Sequence, residues 1–189
     1  MKALFFCCIF LLLPSLSKAQ FALKMIEQAK AQYKVEELGT IMLQANEIFS
    51  AKVNDYRKKH RASELKIADH CWLMAYNHSL WMRQHNKLDH SEKTGSNYYT
   101  GKSTSQRLKY VSTDIDYSSL SENIAFFDLL DEEIENRTEM SEILATEFFE
   151  IWRKSPKHRE NLLEKSFQFH GFSVLKIGNR FYGTHVFYN

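Results

Sequence analysis

The chain has 189 residues, of which 44% are hydrophobic and 14% aromatic, with 25 Lys and Arg against 23 Asp and Glu. That length and apolar content suit one domain with a sizeable core. Lys2 and Lys18 belong to a leader-like start, so the remainder is near neutral and lacks a basic stripe, which argues against nucleic-acid binding.

Lys2 precedes an unbroken apolar run, Leu4 to Leu13, which Pro14 closes before Ser17-Lys18-Ala19. A helix needs about 20 apolar residues to cross a bilayer, so this run is too short. It reads as a secretory signal peptide, residues 1–19, cleaved after Ala19. No later segment reads as transmembrane. Cys7 and Cys8 have no small-residue site before them, which argues against a lipid-modified cysteine. Beyond the leader only Cys71 remains, so the exported product has no internal disulfide and depends on packing. Cys71 lies in an apolar helical context, Cys71 to Ala75, and reads as a buried, inert thiol. Asn77-His78-Ser79 and Asn136-Arg137-Thr138 match glycosylation sequons.

Residues 20–44 read as a helical extension or a loose leader, and 45–189 as the domain. Gly39 and Thr40 offer a stop and an N-cap. Ile41, Ala45, Ile48, Phe49, Val53 and Tyr56 then form a helical stripe, closed by Lys58 to Arg61, whose charge suits a helix C-terminus. A second helix runs from about Ala68 to His85. It is apolar on most sides and therefore central. Asn86 to Ser121 is a long polar stretch without periodicity, and loops of that length are often functional. A short helix is expected to begin there at Arg107-Leu108.

A further helix spans about Glu139 to Lys154, with Leu144, Phe148, Ile151 and Trp152 on one stripe, Ser141 as a candidate cap and Pro156 as its stop. The last part is β. Phe167 to Ile177 and Arg180 to Tyr188 flank the two-residue hairpin signal Gly178-Asn179. That turn would set His185 opposite Phe172, with His170 as a diagonal neighbour on the same face. The simplest account of these two histidines is a partly wet strand face, with a second metal pair as the sharper alternative.

His90 follows the central helix, Glu122 precedes an apolar strand-like run, and His158 follows the break at Ser155-Pro156. Two imidazoles and a carboxylate can hold a divalent metal such as zinc, or act without metal as acid and base. Asn161, beside His158, reads as a turn anchor. Ser91, beside His90, lacks a nucleophile elbow. Tyr98, Tyr99, Tyr110 and Tyr117 read as packing anchors of the long loop or as the floor of an apolar groove.

Several segments in order resemble the CAP superfamily, the SCP-like domains of cysteine-rich secretory and pathogenesis-related proteins. They are Asn54 to Arg57, Leu65, Ala75 to Ser79, His90-Ser91, Glu122 to Ala125, Trp152 to Leu163, Gly171 to Val174 and Tyr182 to Phe187. The resemblance implies an α+β fold, a three-layer α-β-α sandwich around a small antiparallel sheet. It also implies a cleft shared by His90, Glu122 and His158, with Ser155 and Asn161 beside it. Eukaryotic members line this cleft with two histidines and two glutamates that can bind zinc. Here Ser155 stands where the second glutamate is expected, and the form from Ser155 to Leu163 is that of the bacterial branch. The resemblance favours a secreted, extracellular or periplasmic binding module with His90, Glu122 and His158 as metal ligands. The alternatives are a hydrolase, protease or nuclease, with Glu122 as base, and a sterol- or lipid-binding protein using Tyr98 and Tyr99. Expected partners are a lipid or an extracellular protein.

Overall fold

The structure, a computed structural model, describes residues 18–34, 38–112, 114–129 and 139–189. The leader up to Ser17 and the sequon at Asn136 lie outside those residues. The elements run α1 (Lys18–Lys34), α2 (Gly39–Lys59), β1 (Lys66–Ile67), α3 (Asp69–His85), α4 (Thr104–Val111), β2 (Leu120–Asp128), α5 (Met140–Lys154), α6 (Pro156–Leu163), β3 (Phe169–Ile177) and β4 (Arg180–Tyr188).

The sheet has the order β1-β3-β4-β2. β3, β4 and β2 are antiparallel, as expected. The two residues of β1 add a parallel edge on β3, which the sequence analysis did not anticipate. Gly178 turns the β3–β4 hairpin at a positive φ of 55°, and His185 pairs with Phe172 as its register requires.

Alternation along the strands sorts side chains onto two faces. Phe172, Val174, His185 and Phe187 face α2 and α5. Phe49 of α2 stacks on Phe172 with ring centres 4.3 Å apart, and meets Trp152 of α5 edge-on at 5.5 Å. Such rings contribute about 1.5–3 kcal/mol each when fully buried. The other face packs on α3 so closely that a Cβ on Gly171 would lie 2.2 Å from the Trp72 backbone nitrogen. Helices therefore cover both faces, giving the three layers. Arg57 and Asn54 tie α2 to the chain beyond. Arg57 donates to the carbonyls of Ser63, Leu162 and Glu164, and Asn54 exchanges two hydrogen bonds with the Leu65 backbone.

Several expected boundaries move. α2 begins at Gly39 after Leu38 in the left-handed region, so Thr40 lies inside the helix and is not its cap. The helix in the polar stretch starts at Thr104, before Arg107, and is capped by Ser103, whose side chain accepts from Gln106 N. α5 starts at Met140 after Glu139, and Ser141 is buried in its first turn. Pro156 ends α5 and also occupies the first turn of α6, where its missing N–H costs nothing. β3 begins at Phe169, two residues later than expected. Residues 20–44 are not a loose leader where described. Ile26 of α1, Leu38 just before α2 and Met42 of α2 join the core, and the expected boundary at Ala45 falls inside α2.

Candidate functional site

β2 is the axis of the candidate site. Its register places Glu122 opposite Val186, on the face that meets α3, and Asn123 opposite His185, on the face that meets α5. Consecutive residues thus serve opposite layers. Glu122 is buried and ionised, and both of its oxygens are taken. Arg107 Nη2 of α4 donates to Oε2 at 2.6 Å, and His90 Nδ1 donates to Oε1 at 3.0 Å. Burial alone would raise its pKa. The fields of His78 and Arg107 and the hydrogen bonds from His90 and Arg107 outweigh that and hold it at about 2.

On the other face, Asn123 Nδ2 donates to the His158 carbonyl at 3.1 Å and its Oδ1 accepts from Asn161 Nδ2 at 2.7 Å. Asn161 lies within α6 and ties that helix to β2. The His158 ring is half-buried, and its Nδ1 has no hydrogen-bond partner. Desolvation, then His90 and Lys157, lower its pKa, so it is neutral at pH 7. Ser155 occupies the junction of α5 and α6, with no side-chain capping bond. The structure brings His90 directly onto Glu122. The His158 ring is related to them through the field of His90, while its backbone carbonyl is held on the opposite face by Asn123.

Three further residues complete the site's interior. His78 of α3, Glu92 and Arg107 are all buried. His78 Nδ1 donates to Glu92 Oε1 at 3.0 Å, and its Nε2 lies 3.6 Å from Glu122 Oε1. Glu92 also accepts from the backbone N–H groups of Thr100 and Gly101 at 2.6 and 3.1 Å, which closes the loop over it. Sequence reasoning missed this set because Glu92 and Arg107 lie in a polar stretch without periodicity. One signal was available. His78 shares the buried stripe of α3 with Met74 and Met82, and a buried imidazole requires a polar partner.

These residues do not fit the zinc shell that the resemblance implies. Among the described residues, no three His, Cys, Asp or Glu side chains are grouped to hold one ion. The carboxylate that should be a ligand is already engaged by a guanidinium.

His170 and His185 are not on a wet face. Both are fully buried, linked at 2.9 Å, and His170 Nε2 shares a hydrogen bond with Ser50 Oγ at 2.8 Å. Desolvation holds His170 at about 3 and His185 well below its usual value. Cys71 is buried and its thiol is pushed up, as an inert cysteine should be. Asn77 sits half-buried in α3. Tyr98 lines a groove of about 390 Å³ between α1 and α3 with Gln28, Gln32, Tyr76, Leu80 and Arg83, so polar side chains make up much of its wall. Tyr99 instead accepts from the Lys102 N–H. Ser91 is exposed, with its N–H bonded to Asp89.

Among the described residues, no helix is long and apolar enough to cross a membrane. No curated protein matches the chain. An outer surface protein of Borrelia burgdorferi shares the fold with a TM-score of 0.60 and 18% identity, over 81% of this chain and 95% of that one. An extracellular SCP-domain protein of Bacillus anthracis str. Ames gives 0.54 and 23% identity over 77% of this chain. The match spans only 40% of that longer protein. The profile of the cysteine-rich secretory protein family, CAP, matches residues 51–188, from within α2 to the end of β4. By that match and the shared fold, the chain belongs to the CAP family.

Proposed function

We propose that this CAP domain is an exported, non-enzymatic binding module that meets its ligand at His90 and His158. The observation that carries this reading is the commitment of Glu122. A general base works best with a pKa near the working pH and within hydrogen-bond reach of the proton it takes. Glu122 has one oxygen on Arg107, the other on His90, and a pKa of about 2. The hydrolase alternative needs that carboxylate as its base and finds it buried, ion-paired and weakly basic. His90, with its side chain 56% exposed, and the half-buried His158 are the groups left to contact a ligand.

The test is turnover. Purified protein is incubated with peptide and oligonucleotide panels beside a Glu122→Ala variant of confirmed fold. No turnover by either protein is expected. Cleavage by the wild type that disappears in the variant overturns the binding-module reading. Export is supported by the apolar leader and tested separately. Protein recovered from outside the cytoplasm should begin at Gln20 by N-terminal sequencing, and an intact Met1 would refute cleavage.

A further inference from the structure

Glu122 and Glu92 are two buried carboxylates, and each needs a compensating partner. Glu92 is satisfied by His78 and two backbone N–H groups. For Glu122 the partner is Arg107, itself 1% exposed. Its two terminal nitrogens hold it in place. Nη1 donates to the His90 carbonyl at 3.1 Å and the Gly101 carbonyl at 3.2 Å, while Nη2 donates to Thr104 Oγ1 at 3.3 Å and Glu122 Oε2 at 2.6 Å. Its Nε lies 4.0 Å from Glu92 Oε1. A guanidinium stays charged at any pH a protein tolerates. The site therefore contains a permanent cation bonded to the one carboxylate that the two candidate imidazoles could share.

We infer that Arg107 is the resident cation of this site: it holds Oε2 of Glu122 while His90 takes Oε1, and its charge keeps Glu122 out of any metal shell. Two other features act in the same direction. Ser155 contributes no charge at the position where a second carboxylate is expected, and Lys157 adds a positive charge beside His158. Metal binding through Glu122 would have to break a buried, charge-assisted contact and place two further positive charges beside a third. Arg107 also holds the His90 backbone to β2. It is thus a positioning residue for the ligand-facing imidazole, in addition to its charge role.

The experiment is zinc calorimetry at pH 7.5 on the wild type, Glu122→Gln and Arg107→Met, each checked by circular dichroism. Wild type and Glu122→Gln should give the same isotherm. Arg107→Met should bind zinc at least tenfold more tightly than wild type, and the double variant should lose that gain. Wild-type zinc binding that Glu122→Gln abolishes overturns the inference, as does a folded Arg107→Met with no gain. If Arg107→Met does not fold, the wild-type and Glu122→Gln isotherms decide alone, equality supporting the inference and loss refuting it. The turnover assay reads a different quantity, so the binding-module reading can fail while this inference stands, and the reverse.

Discussion

Arg107 changes how the neighbouring residues are understood. In the sequence it is one cation in a polar stretch, and its periodicity suggested only the start of a helix. Burial of a charge leaves no trace in a hydrophobic pattern, so Arg107 and Glu92 were invisible to it. The three residues that the resemblance singled out were legible, because their neighbours spell an ordered series of motifs. What the pattern could not show is that Glu122 is already paired with a buried guanidinium. Truncating Arg107 to Ala leaves a buried carboxylate uncompensated and is expected to cost about 3–5 kcal/mol in urea unfolding. Asn161→Ala removes one partner from the Asn123 amide and should cost less, about 1–3 kcal/mol. Equal stability of Arg107→Ala and wild type would show that Glu122 is neutralised some other way.

Among the elements, the hairpin was the easiest to read. Gly178-Asn179 fixed the β3–β4 register, and with it the pairing of His185 with Phe172. β1 was unreadable, since two exposed residues carry no alternation and their pairing with β3 depends on distant chain. The junction at Ser155-Pro156 was legible as a stop. That a helix begins there depends on Pro156 suiting a first helical turn. The α3–β3 contact yields a sharper prediction. At Gly171 an added Cβ meets the α3 backbone, 2.2 Å from Trp72 N. At Gly183 it meets the ring of Phe148, at 2.3 Å. A ring can rotate or shift more readily than a helix backbone. Both alanine variants should be destabilised by about 1–3 kcal/mol or more, with Gly171→Ala the worse of the two by thermal melting. The reverse ranking would mean that α3 yields more easily than the Phe148 side of the core.

For the whole molecule, the buried imidazoles couple folding to pH. His170, at about 3, and His185 are depressed by desolvation, and half-buried His158 and His70 shift the same way. The unfolded chain therefore binds protons first. Stability is complete above about pH 6.5 and falls below it, by up to about 1.4 kcal/mol per pH unit for each fully buried histidine. Glu122 adds a second loss. Its stabilisation is present above the usual carboxylate range near pH 4.5 and disappears as pH falls toward 2. Urea midpoints should thus drop between pH 7 and pH 5, before most carboxylates titrate. His170→Asn/His185→Asn should flatten that slope, and an unchanged slope in the double variant would assign it elsewhere.

One peptide unit of β2 separates Glu122 from Asn123, and each residue grips a different layer. The two grips are therefore one residue apart along the strand, about 3.4 Å, on opposite faces of one rail. His90, through Glu122, and the His158 carbonyl, through Asn123, are hitched to the same rail. Slipping β2 by one position would exchange the walls, turning the carboxylate toward α6 and the amide toward Arg107. A redesign for a wider ligand must accordingly lengthen the rim, in the His90 loop or at the Ser155-Pro156 joint, and leave the rail untouched.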